Sequence, residues 1–320
     1  TMTIASAFAP AAGITTTATF PALALNFTSG VLTSATSPSA SIQVATANVS
    51  VGSSDDHSFA LPLVATGTYN FVVNWGDGSS STITAYNQPE ITHLYASTGT
   101  YTLQITGTLT GWVFNGSGDK LKILNINSWG DLVLGDAGET GFFYGCSNLT
   151  ISASAGDPLR PGTTTLALCF QECTSLNSTN VATWDVSAVT DLSFMFYGCS
   201  VFNVDLSSWN TSNVTTTSNM FFHCDAFNNG VPTNAGGVPL TWDTGNLLDA
   251  SNMFTSCAAF NQQVEFSDVS ALTTAYSMFA GCTLFNNGDI ANVSSKPLVW
   301  DVAALQSTVY MLSACSAFNQ

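Results

Sequence analysis

The sequence predicts a mainly β protein: a compact β-sandwich followed by a solenoid of stacked repeats with short strands and short helical turns. Three observations carry that expectation. The 320 residues are rich in Thr, Val, Phe and Gly and poor in strong helix formers, which suits pleated, half-buried strands. The stretch Tyr69–Trp75 alternates apolar and polar side chains and runs into Gly76-Asp77-Gly78, a strand followed by a turn. From Cys146 onward, cysteines recur at intervals of 27, 26, 25, 33, 25 and 33 residues, the mark of a repeat architecture.

Charge narrows the function classes. Four residues are basic (Lys120, Lys122, Arg160 and Lys296) against twenty acidic ones, and the net charge is −16. Nucleic acid is excluded as a partner, because phosphate binding needs Lys and Arg to displace counterions. An anionic membrane surface is disfavoured for the same reason. No run of eighteen apolar residues reads as a membrane span. Yet 45% of the chain is hydrophobic and only 8% is charged, so neutral polar side chains must do the solvating. That composition fits an outward-facing structural or recognition protein, not a disordered tail. No basic stretch followed by an apolar core precedes Thr1, so a leader is expected to have been removed or not to be used.

The first segment, residues 1–54, carries no charged side chain. It reads either as a strand-forming leader or small β region, or as a segment that pairs with another subunit. An uncharged, β-prone strand lacks the usual protection against edge pairing. Residues 55–110 follow as the sandwich. Their order of motifs is Trp75-Gly-Asp77-Gly78, then His93-Leu-Tyr95, then Gly99-Thr-Tyr101 and an alternating strand. This combination resembles the PKD family of Ig-like domains over about fifty residues. The resemblance implies two antiparallel sheets used as an extracellular spacer or adhesive module, with Tyr95 a candidate for a tyrosine-corner hydrogen bond. Asp77 reads as a turn residue accepting backbone N–H bonds before it reads as a calcium ligand.

Residues 111–320 form the repeat region, degenerate at first and clear from about residue 165. Each full unit places Trp fifteen residues before its Cys, Met four before it, and Phe-Asn three and four after it. The Trp column is Trp184, Trp209, Trp242 and Trp300, with Ser267 in one unit. The Met column is Met195, Met220, Met253, Met278 and Met311. The Cys column includes Cys199, Cys224, Cys257, Cys282 and Cys315, and the Phe column Phe202, Phe227, Phe260, Phe285 and Phe318. These columns read as core and not as a cofactor box. One unit cannot bury its apolar face alone, so neighbours must stack. The cysteines are expected to be buried free thiols, with Cys169 a substitution at a Met position and not a disulfide partner. The unit Trp-Asp-x-Ser-x-Val-Thr…Met-Phe-x-x-Cys-x-x-Phe-Asn resembles the BspA-like leucine-rich repeats of the DUF285 type, over at least Phe142–Gln320. That resemblance implies a curved stack of coils, each with a short parallel strand and a helical or 3₁₀ turn opposite. The helical turn is expected at Ser-x-Met-Phe-x-x-Cys, and the Asn after each Phe is expected to bond backbone in its turn.

Intervals of 25 and 33 alternate at the C-terminal end, giving a 58-residue super-repeat. The extra eight residues follow Phe227-Asn-Asn229-Gly230 and Phe285-Asn-Asn287-Gly288. Asn229, Gly230, Asn234, Asn287, Gly288 and Lys296 are the candidate partner-facing residues, since insertions on one face of a repeat array often carry binding.

Catalytic signatures are absent from the sequence: no zinc-protease helix motif, no nucleophile elbow, no phosphate loop and no dinucleotide fingerprint. His57, His93 and His223 lie far apart along the chain. The column Asp185, Asn210, Asp243, Asp268 and Asp301 is expected to cap turns, with calcium the minor alternative. The expectation is therefore a non-enzymatic adhesion or recognition protein at a cell or virion surface, without a cofactor, contacting a protein or glycan. The alternative is a structural subunit of a capsid, spike, fibre or extracellular filament, self-associating through its N-terminal segment.

Overall fold

The computed structural model describes residues 39–320 apart from 136–138, 234–236, 267 and 292–295, together with a strand pair near the N-terminus. The chain forms two compact units, Thr1–Ser37 and Pro38–Gln320. In the first, β1 (Phe27–Thr28) pairs antiparallel with β2 (Val31–Leu32). Most of the segment 1–54, including its expected pairing role, lies outside the described residues.

The second unit opens with β3 (Ala40–Ala45), whose Ala40, Ile42 and Val44 are buried on one face. It continues with β4 (Ser58–Ala60), β5 (Tyr69–Asn74), β6 (Ser80–Ile83), β7 (Thr92–Leu94), β8 (Thr100–Leu109), β9 (Ile123–Ser128) and β10 (Thr150–Ile151). β5 shows the period-two pattern fully: Tyr69, Phe71 and Val73 are buried, while Asn70, Val72 and Asn74 face water. Six strands make one sheet in the order β10-β9-β3-β8-β5-β6, antiparallel except for β9 with β10. A second, two-stranded sheet pairs β4 with β7. Tyr95, just past β7, ties this pair to the large sheet. Its hydroxyl donates to the Trp75 carbonyl at 3.1 Å, and its ring stacks on Tyr101 with centroids 3.8 Å apart.

Two expectations are corrected here. The second layer is a two-stranded ribbon, not a sheet comparable to the first, because β3, β9 and β10 add edge to edge onto the large sheet. The boundaries at 54/55 and 110/111 are also crossed: β3 comes from within 1–54, and β9 and β10 from within 111–320. Β-sheet hydrogen bonds therefore run without interruption from the sheet into the first repeats. A fully buried ion pair reinforces the junction. Lys122 Nζ lies 3.3 Å from Asp119 Oδ1 and donates to the carbonyls of Ser54, Asp55 and Ser58. Asp119 in turn accepts from the Ser54 and Ala60 N–H groups. Such a pair is tolerable in the interior only with its remaining donors and acceptors satisfied, as they are here.

Beyond β10 the repeats stack in parallel. Single-residue parallel bridges link Thr165, Asp191, Thr216, Asp249, Thr274 and Ser307 in succession. The segment around each Cys was expected to be helical, and it is not. Among the described residues the only helical pieces are 3₁₀ turns at Pro89–Ile91 and Thr179–Thr183. The reason is backbone handedness. The residue five before each Cys has positive φ (Leu168, Phe194, Asn219, Asn252, Ser277, Tyr310), and so has the residue one before it (Glu172, Gly198, His223, Ser256, Gly281, Ala314). Two left-handed residues per unit stop a right-handed helix from propagating. They instead turn alternate N–H groups along the stack. Phe194, Phe196 and Gly198 donate to the carbonyls of Ser218, Met220 and Phe222 in the next coil, while Met195, Tyr197 and Cys199 donate three residues back within their own coil. Half of this backbone is satisfied only by a neighbouring repeat, which is why one repeat could not stand alone.

The expected core columns are buried: Trp184, Trp209 and Trp242; Met195, Met220, Met253 and Met278; Cys199, Cys224, Cys257 and Cys282; Phe202, Phe227, Phe260 and Phe285. In the last unit Trp300, Met311, Cys315 and Phe318 are partly buried and pack on the same core from one side. A further aromatic column, Phe170, Phe196, Phe221, Phe254 and Phe279, stacks with centroids 5.9, 5.7, 5.6 and 5.4 Å apart.

Candidate functional site

The two insertions begin where the repeat's Asn column meets the backbone of the next coil. Asn203 Oδ1 accepts the N–H groups of Asn228 (2.8 Å) and Gly230 (2.9 Å). Asn228 Oδ1 accepts the N–H of Asn261 and the side-chain amide of Gln262, both at 2.8 Å. The pattern then repeats. Asn261 Oδ1 accepts from the Asn286 and Gly288 N–H groups, and Asn286 Oδ1 from the Asn319 N–H and the Gln320 side chain. The column Asn thus bonds the next coil, not its own turn as the sequence suggested. Every buried amide oxygen in this ladder finds donors, as burial requires.

The second Asn of each Asn-Asn-Gly is structural. Asn229 is buried; its Oδ1 accepts the Leu206 N–H at 3.0 Å and its Nδ2 donates to the Val238 carbonyl at 3.2 Å. Asn287 does the same with Val264 N–H (2.9 Å) and the Lys296 carbonyl (2.8 Å). Neither faces a partner, which corrects the expectation for both. Gly230 is exposed and Gly288 buried. Both need glycine: φ is +81° and +76°, and a Cβ would come within 2.8 Å of Asp205 and of the Gln263 backbone respectively. Lys296 is partly exposed, and Asn234 lies outside the described residues. Pro232, Thr233 and Gly237 of the first insertion and Ile290 and Ala291 of the second face solvent, as does Val299 where the second rejoins its coil. One plain coil, stacked at Phe260 between Phe227 (5.8 Å) and Phe285 (5.7 Å), separates the two roots. Gln262 and Gln320, which close this network, were not singled out in the sequence.

A Ser–His–Asp grouping in the sheet region invites a catalytic reading, and its geometry refuses one. His93 Nε2 lies 2.8 Å from Asp77 Oδ2 and 3.4 Å from Ser79 Oγ, so one ring nitrogen faces both partners. A nucleophilic triad needs the carboxylate on one nitrogen and the hydroxyl on the other. Here the Ser79 hydroxyl donates to Asp77 Oδ1 at 2.6 Å, and the His93 ring stacks on Trp75 at 4.7 Å. The cluster clamps a turn. The Ser79 hydroxyl, with further help from His93 and the Ser79 N–H, lowers the Asp77 carboxyl to about 2.

The acidic column caps turns. Oδ1 of Asp185, Asn210, Asp243, Asp268 and Asp301 accepts the N–H two residues on, at 2.8–3.2 Å. Among the described residues, no group of three His, Cys, Asp or Glu side chains is placed to hold a metal ion. His223 is exposed while Cys224 is buried, so the two point to opposite sides. The eight cysteines are free thiols. In each unit from Cys173 to Cys315 the Sγ donates to a Phe carbonyl of the preceding coil at 2.8–3.1 Å. Among the described residues no helix is long and apolar enough to cross a membrane.

Comparison with known proteins bears on the repeats. No curated protein and no solved structure matches the chain. The PKD resemblance of residues 55–110 thus has no match beside it. Residues 164–288 and 233–320 match the family described as "Mycoplasma protein of unknown function, DUF285", and the repeat half of the chain is similar to that family.

Proposed function

We infer that the protein is a non-enzymatic, surface-associated recognition protein that displays two insertion loops from one side of a repeat solenoid, with the six-stranded sheet as its spacer. The observation that carries this reading is the repetition of the loop root: the same Asn-Asn-Gly geometry, the same buried amide network and the same single intervening coil hold both insertions. A loop with no task has no need of so much buried hydrogen bonding. The similarity of residues 164–320 to the DUF285 family supports a surface location through the resemblance of these repeats to BspA-like proteins. The partner is a protein or glycan surface of neutral or basic character, since a net charge of −16 repels polyanions. Deleting residues 231–238 and 289–296 restores the 25-residue spacing in both units and tests the reading directly. On glycan and extracellular-protein arrays the full chain should bind and the shortened chain should lose binding with its β-rich circular dichroism intact. Equal binding by both chains would sink it.

A structural role in a virion or filament is the second reading, favoured by the uncharged segment 1–54 and the separate unit Thr1–Ser37. Removing residues 1–30 distinguishes the two. Loss of higher-order assembly supports the second, and an unassembled chain that still binds supports the first.

A further inference from the structure

Each insertion must leave its coil after Asn-Asn-Gly and come back at a fixed place. The return points are Val238 and Lys296, 58 residues apart, and each is gripped from both sides. On the carbonyl side the grip comes from the insertion's own coil: Asn229 Nδ2 donates to Val238 O, and Asn287 Nδ2 to Lys296 O. On the N–H side it comes from the next coil: the Val238 N–H donates to Gln262 Oε1 at 3.2 Å, and the Lys296 N–H to Gln320 Oε1 at 2.9 Å. Each Gln spends its other end on the preceding coil's column Asn: Gln262 Nε2 reaches Asn228 Oδ1 at 2.8 Å, and Gln320 Nε2 reaches Asn286 Oδ1 at 3.0 Å. The sequence supplies an internal control. The residue after the column Asn is Gln in the two coils that follow an insertion. In the coil of Cys199, which follows a unit without one, the same position is Val204, a buried apolar side chain.

We propose that Gln262 and Gln320 are positioning residues for the insertion loops, each locking the return segment of one insertion onto the coil that follows it. An insertion-bearing coil and its Gln-bearing successor then form one structural unit of 58 residues, and the loops leave the stack at a set angle. Gln suits this task because one side chain offers both an acceptor for the loop and a donor for the ladder. Val at the same site fills the space and leaves a returning N–H without a partner. The proposal concerns how the loops are held and stands whatever they bind.

Amide exchange on the full-length chain, resolved residue by residue, tests it. In Gln262→Val the Val238 amide should exchange about tenfold faster, the consequence of one lost hydrogen bond. The Phe221 and Phe254 amides, which belong to the stacking ladder, should keep their rates. Gln262→Glu retains an acceptor facing Val238 and should restore most of its protection, a rescue that a space-filling role would not produce. Unchanged exchange at Val238 in Gln262→Val would overturn the proposal. So would equal acceleration at Val238, Phe221 and Phe254, which would mean that Gln262 serves general packing. Should Gln262→Val fail to fold, Gln320→Val in the outermost coil puts the same question to the Lys296 amide, with the same two outcomes.

Discussion

Asp77 shows how a single side chain sets a measurable property. Its carboxyl is lowered to about 2 by the Ser79 hydroxyl first, then by His93 and the Ser79 N–H. A depressed carboxylate stabilises the fold above its unfolded value near 3.8, and that contribution is lost as pH falls through about 2. Asp77→Asn should therefore flatten the acid limb of stability between pH 4 and pH 2, read as the urea midpoint against pH. An unaltered acid limb would contradict the clamp. The thiols make a second residue-scale case. Burial pushes Cys146, Cys173, Cys224, Cys257 and Cys282 well above the ordinary thiol value, whereas the half-buried Cys315 rises to about 11. At pH 8 a thiol reagent should label Cys315 first and the others only as the chain unfolds. Rapid labelling of all eight in the native protein would refute the buried ladder.

At the scale of the element, the turn before each Cys depends on residues able to hold a left-handed backbone. Gly198 and Gly230 separate two costs. At Gly198 (φ +72°) a Cβ would touch only the Glu172 side chain at 3.6 Å, so Gly198→Ala should lose about 1 kcal/mol from backbone strain alone. At Gly230 (φ +81°) the Cβ would also sit 2.9 Å from the Asp205 backbone nitrogen, and Gly230→Ala should lose roughly 2–4 kcal/mol. Denaturation midpoints in the reverse order would contradict the assigned loop root. The turn also explains why its helix was expected. Met195, Phe196 and Cys199 share a buried side at spacings that suit a helix. The left-handed residues between them are Phe194, Asn219, Ser277 or Tyr310, side chains that do not announce positive φ as glycine does.

For the whole molecule, stability is shared between neighbours. Phe221 is fully buried, with Phe196 at 5.7 Å on one side and Phe254 at 5.6 Å on the other. Phe221→Ala should cost about 3–5 kcal/mol and weaken both flanking contacts. In a chain of nearest-neighbour interfaces this should split one unfolding transition into two, visible by calorimetry. A single transition, merely shifted, would show the sheet and all repeats to be one cooperative block. The continuous hydrogen bonding from β3 through β9 to β10 is what would hold such a block together.

The amino-acid sequence by itself determined the repeat, its core columns and its insertions, because identical side chains at fixed intervals must meet when coils stack. It also located the strand β5 and the turn at Asp77, where alternation and Gly-Asp-Gly are local signals. Only the tertiary structure decided which residues of the insertions face water. Asn229 and Asn287 look like loop-tip residues in the sequence, yet they are buried, because backbone groups from a coil more than twenty residues earlier need their amides. Only the tertiary structure, too, drew β3 from the uncharged segment into the middle of the sheet. Pairing partners sixty residues away leave no mark in a strand's own residues. Gln262 lies between these cases. Its contrast with Val204 is written in the sequence, but its meaning depends on a hydrogen bond to Val238 that only the folded stack brings within reach.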